Sequence, residues 1–200
     1  MKTRILHLMA AAGMLIAGCG SQTANIDVMH DEGKAVMALD YRDFDQAASE
    51  LVQSLLGSGA LKKQGGGRYV VATGRVINDT MQRIDTDQLM AKIEIEMLNS
   101  GQAVMTSAIG SGSDKLIQET RELRDAEEFD PGTVPERRTL IAPELTVSGK
   151  IFQRNIRYSR GKQQVEYYFQ LKLSDVKSGL RFWQDEVIVG KRGSNRSVAW

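Results

Sequence analysis

Side chains able to do covalent chemistry are scarce in this chain of 200 residues. It holds one cysteine, Cys19, and two histidines, His7 and His30. Thiol redox chemistry and Cys/His zinc ligation need several such residues at fixed spacing, so the count excludes both. A Ser-His-Asp triad would have to recruit His30 from a polar, glycine-containing stretch. Carboxylates are plentiful, with Asp+Glu 25, but no spacing singles out a pair for acid–base work. Two glycine clusters invite a phosphate-binding reading. Gly65-Gly66-Gly67 fails it, because a phosphate cradle follows a strand and opens a helix, and here strand-like residues come after the glycines. Gly110-Ser111-Gly112-Ser113 has the right order and could receive an anion at its amides; the simpler reading is a turn in which Ser113 caps a helix. The residues therefore assign no catalytic group, no metal, no cofactor and no small-molecule substrate, and the chain is not read as an enzyme.

The lone cysteine has a different context. Lys2 and Arg4 precede an apolar run, Leu8 to Ile16, broken only by Gly13. That run is shorter than the roughly 20 residues a membrane-spanning helix needs. It ends on Ile16-Ala17-Gly18-Cys19, which resembles a bacterial lipobox with isoleucine where leucine is commoner. The resemblance implies that residues 1–18 are a removable export signal and that Cys19 becomes the lipidated (palmitate-bearing) first residue. Each acyl chain would contribute about 0.8 kcal/mol per buried methylene. Gly20-Ser21, with no aspartate after the cysteine, resembles the sorting pattern of lipoproteins sent to the outer membrane and facing the periplasm. Removing Lys2 and Arg4 leaves 24 Lys+Arg against 25 Asp+Glu, a net charge of −1. That balance is no footprint for nucleic acid or for a polybasic membrane surface.

The remaining chain divides into a tether over 19–39, a globular domain over 40–190 and a polar, basic tail over 191–200. The tether's 21 residues reach about 70 Å at most. The spacing of Phe44, Ala47, Ala48, Leu51, Val52, Leu55 and Leu56 predicts a helix from Asp43 to Leu56 with one apolar stripe, capped by Asp43 and stopped by Gly57-Ser58-Gly59. A strand is expected from Arg68 to Arg75. A helix capped by Asp85 follows, with Gln88 at the capping-box position and Leu89, Ile93 and Met97 on one face. Ala103 to Ala108 reads as a short strand, Asp114 to Glu128 as a charged, solvated helix, and Phe129 to Pro143 as a loop. The last third predicts an antiparallel meander. Leu145 to Tyr158 turns at Ser159-Arg160-Gly161-Lys162 into a strand that alternates Val165, Tyr167, Phe169, Leu171 and Leu173 with polar residues. Lys177-Ser178-Gly179 then leads into Leu180 to Val189.

Taken in order, these blocks resemble a family. The lipobox, the polar tether, Leu39-Asp40-Tyr41-Arg42-Asp43-Phe44 entering a helix, and a strand closing on Val76-Ile77-Asn78-Asp79-Thr80 look like the LpoB-type activators of peptidoglycan synthases. The helix from Asp85 and the hairpin from Leu173 to Trp183 match in order and spacing. The resemblance implies an α+β domain, a small mixed or antiparallel sheet flanked by helices, similar to the N-terminal domain of TolB. It also implies a non-enzymatic outer-membrane lipoprotein that binds and stimulates a class A, bifunctional penicillin-binding protein. Members that reach a synthase from the outer membrane carry a long proline-rich tether; this tether is short and has no proline. A structural or assembly lipoprotein of an outer-membrane secretion or flagellar apparatus therefore stays open as the alternative.

Interface candidates are aromatic and arginine residues expected on wet sheet faces, since Tyr, Trp and Arg dominate binding hot spots. They are Arg157, Tyr158, Tyr168, Arg181 and Trp183, with Asn78 added from the family-matched loop Val76 to Thr80. Core packing is the competing reading for the aromatics, and turn chemistry for Asn78.

Overall fold

The computed structural model describes residues 36–194 continuously, together with Asp27, Val28, His30 and Arg196, and it leaves the side chain of Tyr158 undescribed. Cys19 and the expected signal lie outside the described residues. Gly33–Trp200 forms one compact unit. In the preceding unit, His30 Nδ1 meets Asp27 Oδ2 at 2.8 Å.

The first helix, α1 (Tyr41–Ser58), starts earlier than its apolar stripe suggests. Asp40 is the N-cap, accepting from the amides of Arg42 and Asp43, and Asp43 returns a carboxylate to the Asp40 amide at 2.8 Å. Asp43 is thus the reciprocal partner of a capping box, not the cap. Gly59 ends the helix in the left-handed region with φ 77°, where a side chain would be strained. Ala47, Ala48, Leu51, Val52 and Leu55 are buried as the stripe predicts, and the Phe44 ring meets Phe169 edge-on with centroids 5.7 Å apart.

Strand β1 (Tyr69–Asp79) leads to α2 (Thr86–Asn99), capped by Asp85 as expected and burying Leu89, Met90, Ile93 and Met97. Strand β2 (Ala103–Met105) and helix α3 (Lys115–Glu122), the latter followed by a 3-10 turn, precede β3 (Leu145–Ser159), β4 (Lys162–Asp175) and β5 (Arg181–Ser194). The sheet order is β2-β1-β3-β4-β5. β1 runs parallel to both its neighbours, and β3, β4 and β5 form the expected antiparallel meander. The α+β expectation with a mixed sheet holds. Helix α1 packs over β5 and on α2, while α2 packs over β1 and β2. Their apolar faces join Val71, Leu145, Val147, Ile151, Tyr167, Phe169 and Leu173 in one buried cluster. Each large side chain so buried contributes about 1.5–3 kcal/mol.

Several boundaries differ from the sequence reading. Val76 to Asp79, read as loop, continues β1, because a bulge between Thr73 and Val76 absorbs Gly74-Arg75 and pairing to β3 resumes. β2 stops at Met105, not Ala108, yet the chain keeps bonding to β1: the Thr106 amide donates to Val71 O and the Ser111 amide to Thr73 O, each at 2.9 Å. Gly110 fits between with φ 99°, and a Cβ there would lie 2.3 Å from Thr73 O. Asp114, not Ser113, caps α3. The glycine-loop amides are therefore engaged internally, Gly112 N on Thr73 Oγ1 at 3.0 Å, and a carboxylate already sits at the helix start. α3 ends at Glu122 and buries no residue; Arg121 and Arg124 hold the Pro135 and Glu136 carbonyls of the next loop. β5 runs past Val189 to Ser194, paired with β4 throughout.

A buried polar network fixes the start of the domain. Tyr167, fully buried, donates its hydroxyl to Met37 O at 3.0 Å and accepts from Gln82 Nε2 at 2.8 Å. Gln82 Oε1 accepts from the Leu39 amide at 3.2 Å. Beside it, Lys191 Nζ lies 2.6 Å from Asp43 Oδ2 and 3.9 Å from Asp40 Oδ2.

Candidate functional site

Side chains alternate along each strand, so the face of the sheet opposite the helices is read from the register. Phe152 of β3 pairs with Tyr168 of β4, which pairs with Ile188 of β5, while Asp79 of β1 flanks Phe152. These four form one row across the sheet. The next row on one side is Ile77, Lys150, Gln170 and Glu186; on the other side it is Arg154, Glu166 and Gly190. Ile77 and Ile188 are more than half exposed. None of the described helices covers this face: α1 and α2 pack on the other side, and α3 lies against its own 3-10 turn and the loop that follows.

Local chemistry holds the row rigid. The Phe152 and Tyr168 rings stack at 4.6 Å between centroids with planes 6° apart. Tyr168 Oη donates to Glu166 Oε2 at 2.7 Å, and Gln164 Nε2 donates to Glu166 Oε1 at 2.6 Å. These two donors hold the Glu166 carboxyl below its ordinary range, and the same bond to Glu166 raises the Tyr168 phenol. Lys150 Nζ bonds Asp79 Oδ2 at 2.5 Å and lies 5.5 Å from the Phe152 ring centroid. Beside this row a shallow groove of about 270 Å³ is lined by Ile77, Lys150, Gln170, Lys172, Arg181 and Gln184. A preordered aromatic pair ringed by both signs of charge, with an exposed aliphatic at each end, offers the ingredients of a recognition surface.

The structure gathers only some of the candidate residues here. Tyr168 and Arg181 are on the open face, Arg181 bonded to Gln184. Trp183 is not exposed: it is buried against the helices, directly opposite Leu173. The cause is a bulge. Arg181 pairs with Ser174 but Trp183 pairs with Leu173, so Phe182 is the extra residue, and two residues of the same parity fall on opposite faces. Arg157 pairs with Gln163 near the tip of the β3–β4 hairpin, exposed but on the other side of the sheet from Tyr168. The Asn78 side chain organises the turn after β1, accepting from the Thr80 amide at 3.1 Å and donating to Gln82 O at 2.8 Å. Tyr158's side chain and Cys19 lie outside what is described. Phe152 and Ile188 were missed by the sequence reading, although the adjacent apolar pair Ile151-Phe152 within a strand requires one of them to face away from the core.

The fold and this face together define an α+β domain with one side of its sheet sealed by helices and the other uncovered by any described helix. A family model for the peptidoglycan-synthase activator LpoB matches residues 43–189, and the chain belongs to that family. Among solved structures, the LpoB C-terminal domain from Salmonella enterica is similar at 14% identity, with 74% of this chain and 98% of that chain covered and a TM-score of 0.42. The corresponding Escherichia coli domain gives 15% identity, 74% and 98% coverage and a TM-score of 0.41. An NMR structure of E. coli LpoB gives 16% identity, 85% and 79% coverage and a TM-score of 0.40. Comparison with curated proteins finds no match.

Proposed function

We propose that this protein is a lipoprotein anchored in the outer membrane through Cys19, facing the periplasm, that binds a class A penicillin-binding protein and stimulates its synthesis of peptidoglycan without catalysis of its own. The observation that carries this reading is the family match spanning nearly the whole described domain. The open face supplies the docking surface, with the Phe152–Tyr168 stack at its centre and Arg181 at its margin. An activator of this kind adds no reacting group. It shifts the synthase towards an active conformation already accessible to it, and its effect is bounded by its differential affinity for the two states.

The test is a titration of glycan polymerisation by the purified cognate synthase. The domain should raise the rate saturably and leave lipid-linked precursor unchanged when incubated with it alone. Tyr168→Ala should raise the half-maximal concentration by roughly tenfold, with thermal stability held within a degree or two. A flat titration against every class A synthase of the source organism would favour the assembly-lipoprotein alternative.

A further inference from the structure

The overall balance of charge conceals a steep asymmetry. Between Gln153 and Val165 there is no acidic residue, and none from Val187 to Trp200. Arg154, Arg157, Arg160 and Lys162 come from the β3–β4 hairpin, Arg192 from the end of β5 and Arg196 from just beyond it; all six are exposed. The register gathers them at one end of the sheet, where Gln163 pairs with Gly193 and Lys162 with Ser194. Glu166, the nearest acid on β4, stays ionised opposite Arg154 and offsets it, so the excess positive charge lies beyond this pair, on Arg157, Arg160, Lys162, Arg192 and Arg196. By contrast, Glu119 to Asp130 carries six acids against Arg121 and Arg124. A groove of about 560 Å³ opens at the hairpin tip, lined by Ile156, Arg157, Arg160 and Lys162 among others.

A second observation concerns where the chain enters the domain. Met37 packs so closely on Gly193 that a Cβ there would lie 2.7 Å from its sulfur, and Met37 O is bonded to Tyr167. Met37, near the start of the described domain, therefore lies beside the basic end of the sheet, and Lys191, partly buried, is bound to Asp43 of α1 nearby.

We infer that this basic end is a membrane-facing surface that docks on anionic phospholipid headgroups of the leaflet holding the lipid anchor, an inference that rests on the lipid-anchor reading of Cys19. Arginine forks suit phosphate oxygens, and cations near an anionic leaflet each strengthen partitioning roughly fivefold. An acidic protein surface would meet the same charges. The lipid is favoured because the described chain enters the domain, at Met37, on this same end.

Residues 33–200 hold the entire core cluster within one compact unit and, made without the anchor, can be tested directly. They should cosediment at low ionic strength with vesicles of equimolar phosphatidylethanolamine and phosphatidylglycerol, but not with phosphatidylcholine vesicles, and salt should release them. Arg160→Gln with Lys162→Gln should weaken this partitioning about thirtyfold with no change in thermal midpoint. Arg137→Gln with Arg138→Gln, in the loop before β3, should leave it unchanged. The inference is overturned by absence of binding to the anionic vesicles, by equal binding to neutral ones, or by equal binding of the Arg160/Lys162 variant. It is also overturned if that variant binds vesicles normally but loses its cognate synthase, which would assign this end to a protein partner. The anchor is tested separately, by the mass of the processed N-terminus of the protein purified from its own envelope.

Discussion

Tyr167→Phe removes a single oxygen atom from the interior, and the structure says what that atom does. The hydroxyl is the partner of both Gln82 Nε2 and Met37 O, and the ring around it is fully buried. Without it, two buried polar groups lose a partner, each at a cost of about 1–3 kcal/mol. A destabilisation on the order of 2–4 kcal/mol is expected, which lowers the melting midpoint of a domain this size by roughly 5–10 °C. The pH dependence gives an independent check. Burial, helped by the nearby Asp43 carboxylate, pushes the Tyr167 phenol up to about 12, against about 10 for an unperturbed tyrosine. A raised pKa in the folded state means the stability it contributes is complete below about pH 10 and is lost as the pH rises through about 12. The wild-type protein should therefore lose stability over that window by an amount on the order of 3 kcal/mol, and Tyr167→Phe should show a flatter alkaline limb. Calorimetry or denaturant titration at several pH values reads both effects. A midpoint unchanged at neutral pH, or identical alkaline limbs, would refute the network as the clamp on the domain's first residues.

Trp183→Ala should act on stability and not on recognition: it truncates a buried ring at a cost of about 3 kcal/mol or more, read as a lowered denaturation midpoint, and a stable variant with weakened partner binding would count against its burial. Leu51→Ala, at the centre of the fully buried face of α1, should cost about 2–5 kcal/mol; a negligible change would mean that α1 is undocked and able to lengthen the tether. Asp40→Ala should cost about 1 kcal/mol at neutral pH through loss of the N-cap. Burial pushes the Asp40 carboxyl up, but Arg42, Lys191 and the Asp43 amide outweigh it and leave the group below its ordinary value, so its ionic contribution holds above about pH 4 and is lost as the pH falls through the lowered folded value. The difference between wild type and variant, followed by thermal melts, should accordingly narrow in acid.

Much of the fold was legible because periodicity reports burial directly. The stripe from Phe44 to Leu56 and the alternation from Val165 to Leu173 each point one face inward, and each does so in the structure. The cap of α1 was misplaced by three residues because Asp40 and Asp43 satisfy the same local rule, and only the backbone geometry decides which is cap and which is partner. Bulges were invisible. The slip at Thr73/Val76 turned an expected loop into strand, and the slip at Leu173/Ser174 moved Trp183 inward while leaving Arg181 outside. A bulge shifts parity by one residue without any periodic signature in composition, so it scrambles a list of surface residues while leaving the fold class intact. The open-face row was hidden for a different reason: with no bulge there, Gly149 and the Ile151-Phe152 pair interrupt the apolar alternation of β3, and its outward residues emerge only from pairing with β4.

The three-stranded ribbon of β3, β4 and β5 serves three environments at once, and register alone separates them. Odd-numbered residues of β4, from Val165 to Leu173, enter the core, and the even-numbered Glu166, Tyr168 and Gln170 line the open face. Towards the hairpin tip the apolar alternation gives way to exposed arginine and lysine. A one-residue slip of β4 against β3 would expose Tyr167 and Phe169 and bury Glu166 and Gln170, so the alternatives are separated by the burial of several large side chains against that of unpaired polar groups. The packing that fixes the core therefore also fixes which residues a partner can meet. The inward set is constrained by volume, whereas the outward rows need only stay polar or aromatic. Exchanging the outward residues in the rows of Phe152 and Lys150 is therefore expected to change the half-maximal concentration for the proposed synthase partner without altering the melting midpoint.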